Sequence, residues 1–190
     1  MENLIHEDKS FKNVVYAEKQ SKERIFENCS FDQCDFSNTV FTSSKFIDCV
    51  FTNCNLSLAK LNNCQMNNIA FKECKLLGIN FGECSDFLFS VKFEACIMDY
   101  CSFAKKKISK TKFINSSMKS VDYTESDLTK TIFSNTDLMN SVFYKTNLKE
   151  ADFSTGHNFS IDPEINYIKK AKFSLLGVIG LLHKYDIVIE

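Results

Sequence analysis

Large apolar residues recur at every fifth position along most of the chain. The series starts at Phe26, Phe31, Phe36, Phe41, Phe46 and Phe51 and continues through Leu56, Leu61, Met66, Phe71, Leu76 and Phe81. A single step of seven then leads to Leu88, after which the interval of five resumes at Phe93 and holds to Phe153. An α-helix, with a period of about 3.6, and a flat strand, with a period of about 2, both fail to produce this spacing. A short fixed period is the mark of a solenoid, in which each repeat buries its apolar face only against its neighbours. A second column supports the reading. Two residues before each large side chain stands a small one, as at Cys29, Cys34, Thr39, Ser44, Cys49 and Cys54 and again at Thr131, Thr136, Ser141, Thr146 and Ala151. The remaining positions carry mostly Asn, Asp, Glu, Ser and Lys, so two of every five side chains are expected inside and three in solvent.

Stacking positions twenty apart gives Phe31, Phe51, Phe71, Phe93, Phe113, Phe133 and Phe153, provided that the long step counts as one repeat with two extra residues near Asp86 and Phe87. The same ladder reaches back to Phe11 and forward to Phe173. Four repeats per coil follow, with a local bulge at the long step. The organisation expected is a tail and irregular capping coil over 1–25, a repeat body over 26–153, and a terminal region over 154–190. In that last region 154–173 reads as an irregular excursion. Ser174 is a candidate N-cap for an α-helix over about 175–184, and Asp186–Ile189 reads as a short strand. The helical stretch is apolar nearly all round, so it should be buried on several sides.

Composition narrows the chemistry. Sixteen of the nineteen Phe fall on the lattice, which assigns the aromatic excess to core. No apolar run is long enough to span a bilayer, and no charged-then-apolar leader opens the sequence, so a cytoplasmic protein is expected. Apart from the interval of twelve across the long step, from Cys84 to Cys96, the nine Cys are spaced in multiples of five rather than in the close pairs of a zinc site, and are expected to be reduced, metal-free core residues. No nucleophile–base arrangement and no phosphate loop accompanies His6, His157 and His183, so neither an enzyme nor a bound cofactor is expected. Near the bulge, Lys106 occupies a position that is small and inward elsewhere; it should turn outward or pair with Asp86. The run Lys105–Lys107, with Lys110 and Lys112, reads as a solvated basic patch, and no direct contact with nucleic acid is expected. Net charge is −1, but residues 1–100 hold ten Lys/Arg against fourteen Asp/Glu, while 101–190 hold thirteen against ten.

The tripeptides Ala151-Asp152-Phe153, Ser126-Asp127-Leu128, Thr136-Asp137-Leu138 and Thr146-Asn147-Leu148 resemble the A(D/N)LXX signature of the pentapeptide repeat family. That resemblance implies an all-β fold: a right-handed quadrilateral parallel β-helix of about eight coils with a short C-terminal α-helix. In length, uninterrupted coils and terminal segment the chain looks like the quinolone-resistance (Qnr-type) branch. It departs from that branch in its mild acidity and in lacking a long projecting loop. The likeness implies a non-enzymatic DNA-mimicking rod that binds DNA gyrase or topoisomerase IV and protects it from quinolones. Its acidic surface would comprise Glu27, Asp32, Asp35, Asp48, Glu73, Glu83, Asp86, Glu94 and Asp99. It also implies a homodimer through the terminal helix and strand, using Leu175, Leu176, Val178, Ile179, Leu181, Leu182, Ile187 and Ile189. An interaction scaffold with an unrelated protein partner is the alternative.

Overall fold

The computed structural model describes residues 4–188. The chain winds into a parallel β-solenoid of about eight coils, with successive coils paired at intervals of twenty residues. Each coil has four faces. The first carries Ile5–Glu7, Ile25–Glu27, Lys45–Ile47 and Gln65–Asn67, and then single bridges from Lys107 through Asp127 and Asn147 to Tyr167. The second is a nine-stranded sheet from Ser10–Lys12 to Lys172–Phe173. Single bridges build the third, from Val15 through Asp35 to His157. The fourth begins with Gln20–Lys22, Val40–Thr42 and Lys60–Asn62 and continues as bridges from Asn80 to Val142.

The five-residue repeat is a strand of two or three residues followed by a tight corner. One residue per corner has a left-handed backbone, including Asn28 (φ 51°), Asn38 (φ 55°), Asp48 (φ 52°) and Asn68 (φ 53°). Asn and Asp enter that region more readily than most side chains. The acidic residue of the motif has its own task. Asp122 and Asp127 each accept a 2.9 Å bond from the backbone N–H two residues on, at Thr124 and Thr129, which tightens the turn. Backbone bonds to the next coil, such as Val50 N to Cys29 O at 3.0 Å, consume the strand groups.

The Phe ladder on the second face runs unbroken from Phe11 to Phe173, with neighbouring ring centroids 4.5–5.4 Å apart. The small column does more than fill space. Thr136 Oγ1 donates to Phe113 O at 3.1 Å, and Cys49 Sγ donates to Phe26 O at 3.4 Å, in each case a carbonyl of the coil before. Cys, Ser and Thr interchange in this column because each is small and carries a donor for that carbonyl.

The structure departs from the sequence expectations at four places. The coil expected to be an irregular cap within 1–25 is instead regular from Ile5 and follows the ladder; Ser21 points inward, its buried hydroxyl without a partner among the described residues. At the long step the inward place falls to half-buried Phe89, not to Leu88, which is exposed at φ 54°. The segment 154–173 keeps the twenty-residue register on three faces, with His157 beside Asp137, Tyr167 beside Asn147, and Phe173 beside Phe153. Lastly, the expected C-terminal α-helix is absent: two 3-10 turns, Gly177–Leu181 and His183–Tyr185, stand in its place, and 186–188 form no strand. Ile189 lies outside the described residues.

The tight turns have a packing cause. Gly180 lies so close to Phe159 that a Cβ would stand 2.4 Å from the Phe159 carbonyl oxygen, and Ile161 N donates to Gly180 O at 3.0 Å. Two glycines in so short a segment also disfavour a helix, which is marginal below about twelve residues without tertiary support. Ser174 accepts from Gly177 N at 2.9 Å, but the N-cap position of the first turn is Leu176, which makes no side-chain cap bond. Of the leucines, however, Leu175 and Leu176 are exposed while Leu181 packs half-buried against the core, and only Gly180 of the first turn is fully buried.

Candidate functional site

A filled solenoid offers chemistry mainly on its outside. The nine carboxylates expected to form an acidic surface are distributed around the rod. Glu27 and Asp48 stand at the corner between the first and second faces, and Asp32, Glu73 and Glu94 lie on or beside the second. Asp35 and Asp99 belong to the third face and Glu83 to the fourth. Several are engaged locally: Asp35 accepts from Ser37 N at 2.9 Å, Asp99 from Ser117 Oγ at 2.6 Å, and Asp32 faces Lys12 at 3.4 Å. Five of the nine therefore share one side of the N-terminal half, and the others do not extend that stripe.

Asp86 belongs to a separate construction. The loop after Cys84 lifts the chain off the first face, so the inward place there is only partly filled, by half-buried Phe89. Lys106, one coil later in the small column, extends its stem into the gap and is 2 % exposed. Its ammonium donates to Cys84 O at 2.5 Å, meets Asp86 Oδ1 at 2.8 Å, and lies 4.6 Å from the Phe89 ring centroid. The expected pairing with Asp86 is present, whereas an outward-turned Lys106 is not. The stem supplies apolar volume to the core, and the ammonium is satisfied by a carbonyl, a carboxylate and a ring face. This tie holds a loop whose tip, Phe87 and Leu88, is exposed.

All nine thiols are free and buried. Burial pushes Cys49 and Cys64 up to about 11 and Cys84 and Cys101 up to about 12, out of the range in which a thiolate forms at neutral pH. Among the described residues no group of His, Cys, Asp and Glu is placed to hold a metal ion. Iodoacetamide at pH 8 should leave the folded protein at its unmodified mass and add nine carbamidomethyl groups after denaturation. A folded protein that takes up label within minutes, or a denatured one that takes fewer than nine, would overturn the assignment of these thiols to the core.

The corner between the first and second faces also carries a row of basic residues, of which the sequence reading named only Lys110 and Lys112, as part of a solvated patch. Lys110, Lys130, Glu150 and Lys170 stack at successive left-handed positions, with N–H bonds running from Lys110 to Thr129, Lys130 to Lys149 and Glu150 to Lys169. Beside them Lys112, Ile132, Asp152 and Lys172 form one strand register. The signal was present in the sequence, in outward positions read at steps of twenty rather than as neighbours. No described helix is long and apolar enough to cross a membrane.

Comparison with known proteins agrees with this architecture. Residues 24–87 match the model of a pentapeptide repeat region, and residues 124–155 match the model of pentapeptide repeats in eight copies. No curated protein matches the sequence. Among solved structures, trypsin-treated QnrB1, a plasmid-mediated fluoroquinolone resistance protein, superposes with a TM-score of 0.65 at 16% identity, covering 98% of each chain. Full-length QnrB1 gives 0.63 at 17% identity over 96% of this chain and 100% of its own. At that identity the likeness is one of fold. Together the two repeat models span just over half of the sequence, and the solenoid continues the same repeat between and beyond them: the chain belongs to the pentapeptide repeat family.

Proposed function

We propose that this protein is a non-enzymatic rod that binds a type II topoisomerase, DNA gyrase or topoisomerase IV, in the cytoplasm and protects it from quinolones. The observation that carries the reading is the end-to-end correspondence with QnrB1, a fluoroquinolone resistance protein, over 98% of both chains. A shared solenoid does not by itself fix a function; here the correspondence also extends over nearly the whole length of both chains. Glu27, Asp32, Asp48, Glu73 and Glu94 on one side of the N-terminal half supply the negative surface that such an enzyme would meet. The second reading, a scaffold for an unrelated protein, draws its support from the lysines that interrupt the negative surface farther along the same corner.

Gyrase supercoiling in the presence of ciprofloxacin tests the first reading. Micromolar protein should restore supercoiling that the drug suppresses. The triple variant Glu27→Lys, Asp48→Lys, Glu73→Lys should lose most of the rescue, and its binding defect should be larger at low salt than at high, because exposed charges act through a screened field. Absence of both rescue and binding at low ionic strength would leave the scaffold reading.

A further inference from the structure

Along the corner between the first and second faces the sign of the charge reverses. In the early coils the corner presents Glu7, Asp8, Glu27 and Asp48, with Lys9 as the one base. From Lys92 onward it presents eight lysines against two carboxylates. The two carboxylates are already shared: Glu150 lies 3.5 Å from Lys130 and 4.0 Å from Lys149, and Asp152 lies 3.6 Å from Lys172. Among the described residues, Lys92, Lys110, Lys112, Lys169 and Lys170 have no carboxylate within ion-pair distance, and all five are exposed.

This arrangement is unfavourable for the isolated rod. Lys92 and Lys112 are neighbours on adjacent strands of the second face, and like charges placed opposite one another in a sheet are destabilising. A chain with a net charge of −1 has carboxylates enough to interleave them throughout, yet only Glu150 and Asp152 do so. Between the two rows lies a groove of about 370 Å³, lined by Lys130, Ile132, Glu150, Asp152, Lys170 and Lys172. The rows are straight, because each coil repeats the position of the last. From Lys92 to Lys172 they extend over four inter-coil steps, about 19 Å at strand spacing, an axial length over which duplex DNA carries about eleven phosphate charges.

We propose that the lysine corner of the C-terminal half binds the phosphate backbone of duplex nucleic acid without reading its sequence. Lysine acts here as a point charge towards phosphate. The site offers no planar guanidinium and no stacked aromatic, so the contact positions a backbone rather than selecting bases. The acidic coils of the same corner repel a duplex, which confines it to the later coils. The inference stands apart from the topoisomerase reading and does not require it.

The test is fluorescence anisotropy of a labelled duplex of about twenty base pairs titrated with the whole protein at several salt concentrations. With five unpaired lysines engaged, affinity should fall several hundred-fold between about 50 and 200 mM salt, since each phosphate neutralised contributes about 0.9 to the logarithmic slope. The variant Lys110→Gln, Lys112→Gln, Lys170→Gln should bind at least tenfold more weakly at about 50 mM and lower the slope by about three. A control, Lys22→Gln, Lys60→Gln, Lys145→Gln on the fourth face, should match the unmodified protein, and two duplexes of unrelated sequence should bind alike. No duplex binding at the lowest salt, or equal loss in corner and control variants, overturns the proposal. Salt-sensitive self-association without duplex binding would also overturn it, by assigning the lysines to the acidic end of a second copy.

Discussion

Replacing Phe93 with Ala lowers the unfolding free energy by about 3–5 kcal/mol, the range for large-to-small changes at a site that cannot collapse. Phe93 is 1 % exposed at mid-rod. Its ring stacks on Phe71 at 5.4 Å and Phe113 at 5.3 Å, and meets Phe81 and Phe103 edge-on at 5.7 and 6.1 Å. Deleting it removes transfer free energy and four aromatic contacts, each worth about 0.5–1.5 kcal/mol. The strands above and below are hydrogen-bonded to their own neighbours, so the cavity stays open. A solenoid contacts itself only coil to coil, and a weakened central coil can also uncouple its two ends. Urea denaturation should show a lower midpoint, with a broadened transition where the halves separate. Phe93→Leu should cost less than about 1.5 kcal/mol, because much of the volume remains. A loss below about 1 kcal/mol for Phe93→Ala would contradict the role of the ladder in holding the coils.

Removing the exposed leucines of the terminal turns should convert the dimer proposed here into a monomer. We propose a two-fold homodimer through residues 175–188. Leu175 is 90 % exposed, Leu176 80 % and Val188 87 %; Val178, Ile179 and Ile187 are exposed as well, while Leu181 and Leu182 are half-buried. The 3-10 turns concentrate this surface, because Gly180 seats the segment on Phe159 and leaves the leucines outside. At about 25 cal/mol per Å² of apolar surface, burying them on both chains is worth several kcal/mol. A self-complementary patch buries both copies in one contact. Light scattering after size exclusion should give twice the 21.8 kDa chain mass for the unmodified protein and one chain mass for Leu175→Glu, Leu176→Glu. That variant should keep its unfolding midpoint when compared as a monomer. A single chain mass for the unmodified protein at micromolar concentration, or an unchanged dimer in the variant, would remove the proposal.

The five-residue period alone determined the two inward columns and the inward placement of the cysteines, and the recurrence of Phe at steps of twenty added four faces per coil and the ladder with both its extensions. These follow from a short strand-and-corner unit whose side-chain directions are local and whose repetition leaves no choice of register. Where the period breaks, the sequence loses that authority. Whether Leu88 or Phe89 turns inward, and whether Lys106 faces solvent or core, depends on the space that the neighbouring coil leaves, and only the stacked structure shows that gap. Likewise the turns after Ser174 were decided by how closely Gly180 meets Phe159, a contact between segments. The alignment of Lys110, Lys130 and Lys170 on one corner belongs to the same class. Residues twenty apart act on one another only after the coil has closed, when strand spacing brings their charges within about 5 Å.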